Sequence, residues 1–307
     1  MNQKVIVIAG PTATGKTALS VRLAQELNGE IVSADSIQIY KKLNIGSAKP
    51  TDDERQGIPH HLMDFLEPDG VYSVADYVKD AKEKIADIIS RNKLPIIVGG
   101  TGLYISSLVD NVEFSESEAN EDIRRRLNQE LEELGKCAMH ERLKEIDPVS
   151  AESIHPNNTK RVIRALEIFE TTGKTRTEHE KESKTNKSPY DFCLIGLACD
   201  RELLYERINL RVDIMNEQGL FDEVEKLLAE GVPCDAQSMQ GIGYKEAVMA
   251  INNEITKEES IELIKKNSRN YAKRQLTWFR REEFTWFDCL DDNLYENVVK
   301  HIGEFGI

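Results

Sequence analysis

The chain has 307 residues, of which 40% are hydrophobic and 31% charged, with a formal net charge of −14. This balance describes a globular, soluble protein of one large domain or two unequal ones, and it excludes a protein that coats nucleic acid through general positive charge. No apolar run is long enough to span a membrane and no leader precedes the first strand, while the five cysteines (Cys137, Cys193, Cys199, Cys234 and Cys289) contain no C-x-x-C pair, which points to a reducing cytoplasm with neither disulfide framework nor zinc site.

Residues 4–9 (KVIVIA) are a short apolar run suited to a buried parallel strand. GPTATGKT follows at 10–17 and fits G-x-x-x-x-G-K-[ST], a loop whose backbone amides cradle phosphates. Leu19, Leu23 and Leu27 then recur at four-residue spacing, one face of a helix, and Gly29 suits its C-terminal end. Strand, glycine loop and helix together form an anion site, because a helix N-terminus presents free N–H groups. Lys16 supplies positive charge to the phosphates and Thr17 a hydroxyl to Mg²⁺.

Residues 29–35 (GEIVSAD) read as a second strand that ends on Asp35 in SADSIQIY. In open α/β sheets ligands bind beyond the carboxyl ends of strands, so Asp35 is expected to face whatever the loop holds. Its carboxylate could take a proton from a nucleophile, with Gln38 adding amide hydrogen bonds; the bland alternative is a turn cap. His60 and His61 in HHLMD are adjacent with no third ligand in view, which favours a structural role. Ser73 and Asp76 are spaced as a capping box at the start of a helix. Residues 93–100 (KLPIIVGG) form a third strand, and GGTGLY at 99–104 brings Thr101 to the same sheet edge. No Asp ends this strand, as the Mg²⁺ site of an ordinary P-loop NTPase requires.

From 113 to 189 the pattern changes to amphipathic helices, among them DIRRRLNQELEEL and NTKRVIRALEIFETTGK, the second with the small basic cluster Lys160, Arg161 and Arg164. An acidic stretch at 114–122 and a polar one at 178–189 read as linkers. The expected organisation is an α/β core with a parallel sheet, residues 1–112 and 190–307, holding an all-helical insertion at 113–189. Residues 192–200 (FCLIGLACD) supply a further strand, and long helices follow over roughly 201–230 and 257–283. Arg207 and Arg211 lie one helical turn apart and could grip an anionic leaving group or pair with nearby glutamates. Residues 265–281 hold seven basic residues and no acidic one. Lys266, Arg269, Lys273 and Arg280 share a stripe, either an RNA-backbone surface or a solvated face, with Tyr271 and Trp278 on another.

In order along the chain, GPTATGKT, SADSIQIY, IGSAKP, PHHLMD, VGGTGLY, IHPNN, KRVIRALEI, ERINLRVDIM, QGIGYKEA and YAKRQLTWFR resemble the motifs of the tRNA dimethylallyltransferase (isopentenyltransferase) family over nearly the whole length. The resemblance implies a P-loop kinase-like core and transfer of a dimethylallyl group from dimethylallyl diphosphate to N6 of the adenosine at tRNA position 37. It implies that Gly10, Pro11, Thr12, Ala13, Thr14, Gly15, Lys16 and Thr17 hold the diphosphate, with Mg²⁺ on Thr17. Asp35, Thr101 and Arg211 become the catalytic set, with Asp35 the base for an exocyclic amine whose lone pair is delocalised into the ring. Ser36, Ile37 and Gln38 line the adenosine pocket. Arg124, Lys160, Arg161, Arg164, Gln240, Gly241, Ile242, Gly243, Tyr244, Lys245, Arg269 and Lys273 are implied tRNA contacts, the insertion clamping the anticodon arm. Gln240 stands where some members carry arginine, and no C-terminal zinc finger of the eukaryotic kind is present, which fits a bacterial-type, cytoplasmic, monomeric enzyme. Two rivals fit parts of the pattern: a P-loop small-molecule kinase, which also places an acid after its second strand, and a non-enzymatic RNA-binding protein.

Overall fold

Strand-forming runs that are apolar on both faces must be covered on both sides, and the chain meets that demand with helices. The computed structural model describes residues 3–114, 121–183 and 187–307. It divides into two compact units, Met1–Val109 with Pro189–Ile307, and Asp110–Ser188.

In the first unit the strands are β1 (Gln3–Ala9), β2 (Gly29–Ala34), β3 (His60–His61), β4 (Leu94–Gly99), β5 (Tyr190–Ala198) and β6 (Thr285–Asp288). They form one six-stranded, all-parallel sheet in the order β3-β2-β4-β1-β5-β6. Alternation along β1 divides the core: Ile6 and Ile8 pack with Leu19, Leu23 and Leu197 on one face, Val5 and Val7 with Tyr77, Ile85 and Ile97 on the other. Each fully buried aliphatic side chain contributes about 1.5–3 kcal/mol of transfer free energy. The helices of this unit are α1 (Lys16–Glu26), α2 (Asp52–Arg55), α3 (Val74–Ser90) and α4 (Gly102–Val109), and, after the second unit, α9 (Arg201–Glu217), α10 (Leu220–Ala229), α11 (Tyr244–Ile251), α12 (Lys257–Phe279) and α13 (Leu294–Phe305). The Ser73–Asp76 capping box starts α3 as its spacing predicts.

Strand β1 leads towards β2, whereas its neighbour β4 leads towards β5 on the opposite side. Connections leaving adjacent strands in opposite directions open a crevice at their carboxyl ends, the usual ligand position of such sheets. Residues 10–17 follow β1 and residues 100–101 follow β4, so both expected site loops flank this crevice.

The second unit contains α5 (Glu121–Ile146), interrupted at Gly135, then α6 (Pro148–Ser153), α7 (Thr159–Thr172) and α8 (Arg176–Ser183). Its core is Leu127, Met139, Leu143, Ile154, Val162 and Leu166.

Four details differ from the sequence reading. Strands β3 and β6 are too short to carry an alternation signal, yet both pair in register with longer strands. The helix expected over 201–230 is two helices broken at Gln218 and Gly219, and α12 stops at Phe279. The polar stretch at 178–189 is not simply a linker, since its start lies in α8, where Glu178 caps through Thr175; residues 184–186 lie outside the described residues. Most of the acidic stretch, residues 115–120, also lies outside them.

Candidate active site

The loop after β1 is shaped mainly by its own atoms. Gly15 adopts the left-handed region (φ 78°) at the N-cap of α1, a conformation glycine takes without steric cost. The helix has no side-chain cap and no acidic residue in its first turn, which leaves its N-terminal donors available to an anion. Thr14 Oγ1 donates to Pro11 O at 2.9 Å, and Lys16 Nζ donates to the same carbonyl at 2.6 Å.

Lys16 is held in an unusual state. Burial, and then the neighbouring Arg211 guanidinium, push its ammonium down to about 7, against the opposing pull of Asp35 and Cys289. Burial also lowers Arg211, which Asp35 and Glu54 partly offset. Two partly desolvated cations close enough to repel each other, with the Asp35 and Glu54 carboxylates nearby, concentrate positive charge suited to a multiply charged anion. Arg211 Nη2 also meets Ala48 O at 3.4 Å. Arg207, one turn earlier, turns towards Cys289 Sγ at 3.6 Å and is not among the cavity-lining residues.

The opposite wall begins at Asp35. Its Oδ1 accepts from Ile37 N (2.9 Å) and Gln38 N (3.2 Å). The turn-cap reading and the cavity-facing reading therefore both hold, because Asp35 lines the cavity as well. Thr101 stands one step back from the wall. Its Oγ1 accepts from Ser36 N at 3.1 Å and lies 3.5 Å from Ser36 Oγ, so it orients the residue after Asp35. Gln38 Nε2 donates to Ser47 O (3.1 Å) and Ala48 O (3.2 Å), which sets the direction of its amide.

The turn that carries those two carbonyls is itself anchored from far away. Glu223 on α10 accepts from Asn44 N (2.9 Å), Ile45 N (2.8 Å) and Gly46 N (3.2 Å), and from the Tyr244 hydroxyl at 2.7 Å. Tyr244 in turn accepts from Ser47 N at 3.1 Å. Sequence reasoning missed Glu223: a glutamate in an amphipathic helix carries no local sign that three consecutive amides will converge on it. It missed Gln275 as well, a buried polar residue within a stretch read for its positive charge; its Oε1 accepts from Thr12 N and its Nε2 donates to Gly100 O.

Together these residues enclose a cavity of about 1040 Å³. Its walls are Thr12–Ala18, Asp35–Gln38, the turn from Asn44 to Thr51, Gly99 and Gly100, Arg211 and Met215, Gln240–Ile242, and Tyr271, Arg274 and Gln275 of α12. Burial, with Asp35 adding to it, pushes the Tyr271 phenol up to about 12. No carboxylate closes β4, which ends on Gly99 and is followed by Gly100.

The residues implied as nucleic-acid contacts separate into groups. Gln240, Gly241 and Ile242 line the cavity, and Lys245 is exposed. Tyr244 is fully buried and offers no surface; in this fold it braces the turn at 44–48. On α12, Lys266, Lys273 and Arg274 are exposed, as is Arg280 just after it, whereas Arg269 is partly buried with Nη1 2.5 Å from Asn209 Oδ1. Trp278 points inward, its Nε1 donating to Ser106 Oγ at 2.7 Å. In the second unit Lys160 and Arg161 are exposed, while Arg124 and Arg164 both pair with Glu167, which is 1% exposed.

The adjacent histidines are structural. His61 Nε2 lies 2.7 Å from Glu30 Oε2, and Glu30 also binds Arg91 and Lys93, which hold its carboxyl far below the usual range. His60 Nδ1 meets Ile58 O at 2.8 Å. Among the described residues no group of three or more His, Cys, Asp or Glu side chains could hold a metal, and no helix is long and apolar enough to cross a membrane.

Comparison with known proteins adds to this geometry. Residues 38–282 match the family model described as IPP transferase. The chain is 48% identical over 309 residues to a tRNA dimethylallyltransferase of Acetivibrio thermocellus, covering 99% of this chain and 98% of that one. It is 51% identical over 303 residues to a tRNA dimethylallyltransferase of Anoxybacillus flavithermus, covering 98% and 96%. Among solved structures it resembles the full-length tRNA isopentenylpyrophosphate transferase of Bacillus halodurans (TM-score 0.73, 44% identity, 98% and 97% covered). It also resembles a eukaryotic dimethylallyltransferase acting on tRNA (TM-score 0.83, 32% identity, 99% and 79% covered).

Proposed function

The chain belongs to the IPP transferase family, the tRNA dimethylallyltransferases, and from that premise we propose that its cavity carries a dimethylallyl group from dimethylallyl diphosphate to N6 of adenosine 37 in tRNA. The observation that carries this reading is the sharing of one cavity by two half-buried cations, Lys16 and Arg211, and the Asp35 carboxylate.

The diphosphate sits on the amides of residues 13–17, since the Thr12 amide is taken by Gln275. As the allylic C–O bond breaks, its electron pair leaves with pyrophosphate, and the charge that develops falls between Lys16 and Arg211. Fixed cations in a desolvated site stabilise such charge without reorganising. The N6 lone pair forms the new N–C bond, and the amine proton passes to Asp35. With Oδ1 engaged by Ile37 and Gln38 amides, Oδ2 is the oxygen that accepts it. Thr101 acts through Ser36, keeping that turn in register. The Gln38 amide has both donors directed at Ser47 and Ala48 carbonyls, so its oxygen is the atom offered to the base.

A Mg²⁺ ion suits the donor set. The Thr17 hydroxyl lines the cavity and hydrogen-bonds to no described residue, and the loop offers no carboxylate cluster. Mg²⁺ commonly takes one or two protein oxygens and fills its octahedron with substrate phosphate and water. When bound it would neutralise diphosphate charge.

Adenosine 37 has to leave the loop stack to enter the cavity, as bases do in enzymes that modify them. Lys245, Lys266, Lys273 and Arg274 supply exposed positive charge in the first unit, and Arg124, Lys160, Arg161 and Arg164 in the second. Gln240, Gly241 and Ile242 lie at the cavity wall for the neighbouring bases, and a single copy of the chain suffices for one anticodon arm. The test is pyrophosphate release from dimethylallyl diphosphate. Release that requires tRNA, with isopentenyl-adenosine found in the product, supports the reading; ATP turnover without tRNA sinks it.

A further inference from the structure

Among the described residues Gln275 is the one side chain that hydrogen-bonds both loops of the crevice, and no catalytic role accounts for it. It lies on the inner face of α12 and is 5% exposed. Its Oε1 accepts from Thr12 N at 3.3 Å, within the phosphate loop, and its Nε2 donates to Gly100 O at 2.8 Å, the carbonyl next to Thr101. Tyr271, one turn earlier, directs its hydroxyl at the same carbonyl (3.4 Å). The fit leaves no slack: a Cβ on Gly100 would lie 2.2 Å from Gln275 Nε2. From Gly100 the connection continues through Thr101 Oγ1 to Ser36 N and so to Asp35.

Backbone groups at adjacent strand ends whose connections diverge have no ladder partner, and the crevice between them can widen. A glutamine with both amide ends committed fixes that width as two formal hydrogen bonds, because its neutral tip carries an acceptor oxygen and a donor nitrogen side by side. We propose that Gln275 is a positioning residue that sets the distance between the leaving-group cradle and the acceptor wall of Asp35 and Thr101. The role rests on the transfer reading above. Alkyl transfer needs the nucleophile in line with the departing group, and a displacement of about 1 Å can cost about 100-fold in rate.

The outer face of α12 adds a consequence. Lys273, two residues before Gln275, is exposed and does not line the cavity. RNA docking on that face therefore presses on the helix that holds the crevice width.

The experiment is a double-mutant cycle with Q275L and T101A, scored by prenyl transfer at saturating substrates. Q275L is expected to lower kcat about tenfold or more, with KM for dimethylallyl diphosphate within about threefold and the melting temperature within a few degrees of wild type. If Gln275 acts through Gly100 and Thr101, the double variant loses little beyond the larger single loss. Losses that multiply, or a Q275L enzyme with wild-type kcat, overturn the proposal. Q275E keeps the acceptor for Thr12 but loses the donor to Gly100; it should resemble Q275L, and it replaces Q275L in the cycle if that variant does not fold. Hydrogen–deuterium exchange decides the matter independently of activity. Peptides covering 10–17 and 99–104 should both exchange faster in the variant, and unchanged exchange in either overturns the bridge even if the wild type shows no prenyl transfer.

Discussion

The phosphate loop and the acceptor wall face each other across one cavity but are built by different means. In the loop, Thr14 and Lys16 both close on Pro11 O, within five residues of chain. On the acceptor wall, Ser36 depends on Thr101, 65 residues away, and the turn at 44–48 depends on Glu223 and Tyr244, up to 197 residues away. The first wall acts mainly through charge, which a point substitution removes outright. The second acts mainly through direction, which a substitution blurs. Variants on the two sides should therefore fail in different ways.

The largest effect is expected at Asp35, the base of the proposed transfer. Asp35→Ala should cut kcat by about 100- to 10000-fold, the range of general-base removal, while tRNA and pyrophosphate binding survive. Near-normal turnover in single-turnover assays would place the proton elsewhere.

On the other wall, Lys16→Met should cost about 100- to 1000-fold in kcat, as for loss of one preorganised donor to a developing charge. The same residue makes a prediction in pH. Its folded pKa lies near 7, well below the ordinary lysine value, so in the free protein its charge is present below about pH 7 and fades above. A bound anion restores the charge. Pyrophosphate binding at pH 8 should therefore draw in a proton through Lys16, and affinity should weaken as pH rises. Calorimetry in buffers of different ionisation enthalpy should find that uptake in the wild type and less of it in Lys16→Met; equal uptake in both would remove Lys16 as its source.

Glu223→Gln tests directional failure. It replaces an acceptor-only carboxylate with an amide that must turn a donor towards some of the N–H groups at Asn44, Ile45 and Gly46. A loss of about tenfold in kcat/KM for tRNA is expected, about 1.4 kcal/mol, with pyrophosphate affinity unchanged. A parallel loss of pyrophosphate affinity would mean that the two walls are not separable. The smallest effect should come from the exposed helix face. The double substitution Lys266→Ala and Lys273→Ala should reduce the slope of log affinity against log salt by about 0.7 for each RNA phosphate that the helix no longer neutralises, and leave kcat at saturating tRNA near wild type. An unchanged slope would move the RNA backbone off α12.

Much of the fold and part of the site is legible in the sequence. The strands over 4–9, 29–35, 93–100 and 192–200 are long enough for apolar content to mark them, and the parallel sheet follows from their alternation with helices. Strands β3 and β6 escape because two and four residues carry no period; pairing with β2 and β5 creates them. Tyr244 reads as a surface contact from its place in QGIGYK, but burial places it inside, bracing Ser47. Arg207 and Arg211 are equivalent by spacing; packing turns one to Cys289 and the other into the cavity.

By itself, then, the sequence determined the phosphate loop, the strand that delivers Asp35 and the order of motifs, because each depends on backbone geometry and side chains within a few residues of one another. Tertiary structure alone decided which arginine enters the cavity, that Glu223 gathers three amides, and that Gln275 bridges two strand ends. Those features join atoms that only folding brings within 3.5 Å, and a hydrogen bond between distant residues leaves no periodic trace in either partner's local sequence.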